Sequence, residues 1–335
     1  MTAAAPTNHK PQTTNHFVRL FLSEHLVLFL SVAYFAAMWP FTPGLAAPEN
    51  LANIATALLP LLIVALGQTF VLIARGIDLS VTSTIALASV VGALVMNADT
   101  GWLRGNALAV PAGLAAMLAV GALLGFVNGA AITRLRMPPF IVTLTTMMFV
   151  SGLAIWITQS KNIFNLPAAF NAIGARALPA CAVTLAVAVV AHLALGRTLW
   201  GRWLYAVGHN ERAAHVSGVP VARVTLAAYV ACGVCAALAS VLYTGRLETG
   251  SPTTGQRILL DVIGATVIGG TSLYGGKGKV LWTVFGVLFL TLIDNTLNLQ
   301  NLSHFAIMMV KGAVILLAAV LDAVRHKFAG RPADA

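Results

Sequence analysis

The sequence predicts an all-α polytopic membrane protein with about ten transmembrane helices. Three observations predict it. Of 335 residues, 59% are apolar and only 9% are charged, against roughly 25% charged in an ordinary soluble domain. The mean hydropathy is +0.87. Apolar runs recur along the whole chain, and no polar stretch between them is long enough to bury a core of its own. So few charges cannot cover a water-soluble particle of this size. That excludes a cytosolic globular enzyme, a disordered chain and a nucleic-acid binder.

The elements follow in chain order. Residues 1–16 are polar and rich in Thr and Asn, and read as a disordered cytoplasmic tail. The first apolar run, about 20–39, ends at Trp39-Pro40. It reads as an uncleaved span rather than a signal peptide cut near Leu45-Ala46-Ala47, because the chain stays apolar afterwards. Further runs lie at about 51–74, 80–97, 107–132, 138–158, 177–196, 224–244, 260–275, 280–297 and 304–322. The run at 260–275 is short and carries Gly264, Gly269 and Gly270, so a broken or tilted helix is expected, with a short periplasmic helix within 249–262. Residues 17–325 read as one transmembrane domain, and 326–335 as a cytoplasmic tail.

Orientation follows from the basic residues. With the N-terminus in the cytoplasm, Arg104, Lys161, Arg176, Arg246 and Arg257 fall outside and Lys311 falls in a span. The other 14 of the 20 fall inside, as cytoplasmic loops require. The net charge of +10 therefore needs no polyanionic partner. The cysteines are Cys181, Cys232 and Cys235. The last two form C-x-x-C inside an apolar run with no second Cys/His pair, so a buried pair on one helix face is expected, not a metal or redox centre.

Five features bear on function. Asn210 is a good N-cap and Glu211 suits the positive end of a helix. Gly218 is a good stop with Pro220 beyond it, so 211–217 reads as a short surface helix. Its small Ala213 and Ala214 let a partner approach; a solvated turn explains the same residues. The segment Arg75 to Ser80 (Arg-Gly-Ile-Asp-Leu-Ser) places Asp78 or Ser80 to cap the next helix, or Asp78 to pair with Arg75. The glycine-rich run 269–279 lacks the spacing of a phosphate-binding loop and reads as a flexible cytoplasmic loop. Gly121, Gly125 and Gly129 line one helix face and permit close packing, within one chain or between two. Asp261, Asp294 and Lys311 lie at membrane depth, where a charge costs about 2.5–3.5 kcal/mol on insertion scales. Asp294, Asn295 and Asn298 with Lys311 form either a polar translocation surface or an internal brace. The histidines are scattered, and no metal-ligand or nucleophile constellation is present in the sequence.

Three stretches carry a specific resemblance: Gly76-Ile-Asp-Leu-Ser80, Tyr205 to Gly218 (Tyr-Ala-Val-Gly-His-Asn-Glu-Arg-Ala-Ala-His-Val-Ser-Gly), and Val267 to Gly278 (Val-Ile-Gly-Gly-Thr-Ser-Leu-Tyr-Gly-Gly-Lys-Gly). Over about residues 17–325 the chain resembles the permease subunits of bacterial ribose-type monosaccharide ATP-binding-cassette importers. Leu259 stands where relatives often carry Glu. The resemblance implies a helical bundle like that of the vitamin B12 permease group, in the bacterial inner membrane with both termini cytoplasmic. It implies a second permease subunit, alike or related, two cytoplasmic ATPase subunits that hold the ATP and Mg, and a periplasmic sugar-binding protein. It also implies that 211–217 is the coupling helix, with Asn210, Glu211, Arg212, Ala213, Ala214, Ser217 and Gly218 at the ATPase. No cofactor, metal or catalytic residue is expected in this chain. The alternatives are a stand-alone ion-coupled transporter, and a related permease for branched-chain amino acids or nucleosides.

Overall fold

The computed structural model describes the backbone of residues 13–329 and the side chains of residues 25–320. Of the tails expected at 1–16 and 326–335, residues 13–16 and 326–329 have a helical backbone, and the rest lie outside the described residues. Among the described residues the chain is helical throughout, with no strand beyond an isolated bridge between Ile163 and Gly250.

The helices are α1 (Thr13–Met38), α2 (Pro48–Ile73), α3 (Val81–Met96), α4 (Ala109–Arg134), α5 (Pro139–Thr158), α6 (Ala168–Ala175) and α7 (Ala177–Arg197). There follow α8 (Leu199–His209), α9 (Glu211–Val216), α10 (Val221–Leu247), α11 (Leu259–Gly269), α12 (Val280–Leu299) and α13 (His304–Ala329). Among the described residues six helices, α2, α4, α5, α7, α10 and α12, are long and apolar enough to cross a membrane. Four shorter apolar stretches lie at 25–41, 81–96, 259–269 and 304–320.

Sequence and burial agree on the layers. A helix that is apolar all round belongs in the interior. Every residue of α2 from Leu59 to Ile73 is buried, and so is nearly all of α3. Helix α10 is the other central element, with Ala228, Tyr229, Cys232 and Ala236 fully buried. By contrast α4, α5 and α7 bury few residues and leave Phe126, Met148, Phe149, Trp156, Leu185 and Val190 exposed, as a lipid-facing surface does.

Small residues decide which helices meet. Gly121, Gly125 and Gly129 lie on the face of α4 that meets α10 of the same chain. A Cβ on Gly121 would stand 2.2 Å from the Gly233 carbonyl, and one on Gly125 would stand 2.4 Å from that of Tyr229. On its other side α10 sets Cys232 and Cys235 against Gly67 of α2, both thiols free and buried. Helix α11 is a half-length element. It begins only at Leu259, since 249–258 is turn rather than the short helix expected there, and it stops at Gly270 with φ +108°. It crosses α12 closely where Gly286 faces the Ala265 carbonyl.

The connections sort to two ends. At one end the 97–108, 159–167 and 248–258 segments touch through the Ile163–Gly250 pair and the Ala98 N–H to Asn165 bond. At the other end lie 74–80, 135–138, α8, α9 and 270–279. Among the described residues nine basic ones gather there: Arg75, Arg134, Arg136, Arg197, Arg202, Arg212, Arg223, Lys277 and Lys279. The opposite end carries five: Arg104, Lys161, Arg176, Arg246 and Arg257.

Candidate functional site

The three distinctive sequence stretches, far apart in the chain, meet at the α8–α9 end. Helix α8, which sequence periodicity did not separate from its surroundings, starts at Leu199 with Thr198 as its N-cap. The Thr198 hydroxyl accepts the Gly201 N–H at 3.1 Å. The helix buries Gly201, Leu204, Val207 and Gly208 and leaves Arg202 and His209 outside. Gly208 touches α2 directly: a Cβ there would sit 1.7 Å from the Ile73 carbonyl oxygen and 2.5 Å from the Gly276 nitrogen. Only glycine permits so close a backbone approach.

The same Ile73 carbonyl accepts the Gly276 N–H at 2.9 Å. Tyr205 donates its hydroxyl to the Gly278 carbonyl at 2.7 Å. Arg75, itself in the left-handed region at φ 64°, donates to the carbonyls of Tyr274 at 2.8 Å and His209 at 3.2 Å. Arg75 therefore clasps the glycine-rich loop to the end of α8, and Gly275 (φ +82°) and Gly276 (φ +71°) shape that loop. The loop is a packing element against α2 and α8.

Asp78 occupies a different position from either role considered in the sequence. It is 1% exposed, and its Oδ1 accepts the Ser80 N–H at 2.9 Å and the Ser80 hydroxyl at 2.6 Å. Ser80 is the N-cap residue of α3 by position but makes no side-chain cap bond. Asn128 of α4 donates to the Ser80 hydroxyl at 2.8 Å, and Thr146 of α5 donates to Asn128 Oδ1 at 2.7 Å. This buried chain ties the 76–80 loop to α4 and α5. Burial pushes the Asp78 carboxyl above the usual carboxylate range, against the pull of the Ser80 hydrogen bonds.

From this platform α9 projects. Asn210 Oδ1 accepts the Ala213 N–H at 3.0 Å, a side-chain N-cap, and Glu211 stands in the first turn. Gly218 ends the helix at φ +80°, and the Val219 N–H returns to the Ala214 carbonyl at 3.0 Å. Of the residues proposed from sequence, Asn210, Glu211, Arg212, Ala213, Ser217 and Gly218 are exposed. Ala214 is not: it is 5% exposed and packs into the core. Val216 is 87% exposed. Beside α9 lies a cleft of about 1030 Å³ lined by Arg136, Glu211, His215 and Arg223 among others.

The membrane-depth charges meet at the other end, on α11, α12 and α13. Lys311 Nζ lies 2.8 Å from Asp261 Oδ2 and 3.0 Å from Asp294 Oδ1. Asn298 donates to Asp294 Oδ2 at 3.1 Å and to its carbonyl at 2.7 Å. Asn295 points elsewhere and exchanges two amide hydrogen bonds with Asn50 of α2, at 2.8 and 3.0 Å. The pairing of Asp261 with Lys311 spans fifty residues and has no local sequence signal. The two charges at membrane depth were its only sign.

Residues 50–319 match the family described as branched-chain amino acid transport system / permease component. The chain is 37% identical over 309 residues to the ribose import permease protein RbsC of Bacillus subtilis, covering 90% of this chain and 92% of that protein. It is 34% identical to the ribose import permease protein RbsC of Escherichia coli K12, over 92% of this chain and 96% of that one. It is 35% identical to the L-arabinose transport system permease protein AraH of Escherichia coli K12, over 95% of each chain. No solved structure matches it.

Proposed function

This chain belongs to the family of branched-chain amino acid transport system permease components, and from that premise we propose that it is the membrane permease of an ATP-driven importer for a monosaccharide. The observation that carries the reading is the convergence of 76–80, 205–218 and 267–278 on one rigid platform from which a capped, exposed α9 projects. The relatives at 34–37% identity are permeases for ribose and L-arabinose, two pentoses. That places a small neutral sugar ahead of an amino acid or nucleoside as cargo.

In this reading the six long helices and the four shorter apolar ones make ten spans, in the arrangement of the vitamin B12 permease group. The basic α8–α9 end faces the cytoplasm, because positive charge collects there. The protein works in the bacterial inner membrane beside a second permease subunit, with ATPase subunits below and a sugar-binding protein outside. ATP and Mg reside on the ATPase; this chain holds no cofactor and hydrolyses nothing. Its share of the mechanism is mechanical. A partner can shift a two-state equilibrium only through contacts that differ between the states. Helix α9 supplies such a contact. It is exposed on its Arg212, Ala213 and Val216 side and anchored through Ala214 and Val219, so a push on it passes to α8 and, through Gly208, to the end of α2.

The test is reconstitution in liposomes with the ATPase and the sugar-binding protein of the same importer. A thermal-shift screen of that binding protein with pentoses, hexoses, deoxy sugars and polyols identifies the cargo. ATP-dependent uptake of that sugar is the expected result. Uptake driven by an ion gradient without ATPase refutes the proposal in favour of a stand-alone transporter.

A further inference from the structure

A cavity of about 300 Å³ opens where α11, α12 and α13 meet, with the charge cluster in its wall. That is the small end of the range for ligand pockets, about 300–1,000 Å³. Its apolar wall is Ile258, Leu260, Ile307, Met308 and Ile315. Its polar wall is Asp261, Lys311, Asp294, Asn298, Arg257 and His304, the last two 3.4 Å apart.

The polar wall is not used up by its own contacts. Asp261 binds Lys311 through one oxygen, Oδ2. Asn298 donates through Nδ2, leaving its carbonyl oxygen as an acceptor. Asp294 engages Lys311 through Oδ1 and Asn298 through Oδ2, one lone pair of each, and its side chain is 45% exposed. Two carboxylates, one ammonium and the Arg257 guanidinium balance in formal charge, so the wall gives an anion no net attraction. What remains is a set of polar groups with free acceptor capacity beside apolar side chains. Such a wall suits a neutral molecule with hydroxyl donors along one edge and C–H along its flat faces.

We propose that this cavity is a binding subsite for a neutral polyhydroxylated ligand, with Asp294 and Asn298 accepting its hydroxyls and Lys311 holding the two carboxylates in place. The inference rests on the sugar-permease reading above and assigns that cargo a place in this chain. The balanced charge of the wall favours a neutral sugar over a sugar phosphate or sugar acid, which gains no net attraction there.

The test is uptake by the reconstituted importer carrying Asp294→Asn, with labelled ribose, arabinose and their deoxy analogues. Wild type and variant share one binding protein, so its own selectivity cancels from the comparison. Losing one charge-assisted hydrogen bond lowers uptake of the parent sugar about tenfold. The analogue that lacks the contacted hydroxyl loses much less, since in a double-mutant cycle only a shared contact couples. Asn298→Ala is the second variant, with the same readout should Asp294→Asn assemble poorly. An equal fall for every sugar in both variants, or no fall in either, overturns the subsite and leaves a brace. Wild-type complex that takes up no sugar overturns the parent reading, and the subsite with it.

Discussion

Replacing Lys311 with Met separates the two carboxylates that Lys311 holds. The Lys311 and Asp261 side chains are each 15% exposed, and they pair at 2.8 Å. Asp294 is 45% exposed and pairs at 3.0 Å. Breaking a buried pair by removing one partner costs about 3–5 kcal/mol, because the remaining charge is left buried and unpaired. An exposed pair contributes about 0–1 kcal/mol. The loss in Lys311→Met therefore falls mainly on Asp261. In detergent-solubilised protein this predicts a drop in Tm of roughly 6–10 °C, at about 2 °C per kcal/mol for a large chain. Adding Asp261→Asn to Lys311→Met removes the stranded charge and recovers most of the drop. Adding Asp294→Asn recovers less, since that side chain is the less buried of the two carboxylates. Equal rescue by both second substitutions would falsify the ranking, and a wild-type Tm for Lys311→Met alone would show that no brace exists.

Gly208→Ala drives a methyl onto the Ile73 carbonyl, where its Cβ would stand 1.7 Å away. Overpacking of this kind costs about 1–3 kcal/mol or more, and a lowered Tm with reduced uptake is expected. Ala213→Trp blocks the exposed side of α9 while leaving the buried Ala214 untouched. Uptake and binding-protein-stimulated ATPase activity should fall together at unchanged Tm; normal values for both refute the lever. Asn210→Ala removes the bond to the Ala213 N–H, a cap worth about 1 kcal/mol. Faster amide exchange confined to α9 is the readout, and unchanged exchange contradicts it. Val216→Cys, at an 87% exposed position, in a Cys181→Ala background, should react with a membrane-impermeant maleimide only in opened cells. Labelling of intact cells places α9 outside and reverses the topology.

Much of the site was legible in the primary structure because its signals are local. A cap needs only Asn210 three residues before the Ala213 N–H, and a stop needs only Gly218 at positive φ. Helix α8 was not legible as a separate element. It follows α7 after a single residue, Thr198, and its periodicity merges with the span before it. Asp78 was misplaced for a related reason. Short spacing to Arg75 suggests an ion pair and short spacing to Ser80 suggests a cap, yet the Arg75 guanidinium turns to carbonyls 134 and 199 residues away. Asp78 turns inward to a chain of hydroxyl and amide groups contributed by α4 and α5.

Composition and spacing alone determined that the chain is a bundle of apolar helices, which end is basic, and where a short capped helix interrupts the spans. Each of these depends on the transfer energy of side chains or on hydrogen bonds within a few residues, and both are written in consecutive positions. Tertiary structure alone decided that Lys311 serves Asp261 as well as Asp294, that the α4 glycines meet α10 of the same chain, and that three distant stretches share one platform. Those outcomes depend on which helix faces approach each other. In an interior where nearly every face is apolar, sequence periodicity carries no record of that choice, and the close contacts at glycines and the few buried charges make it.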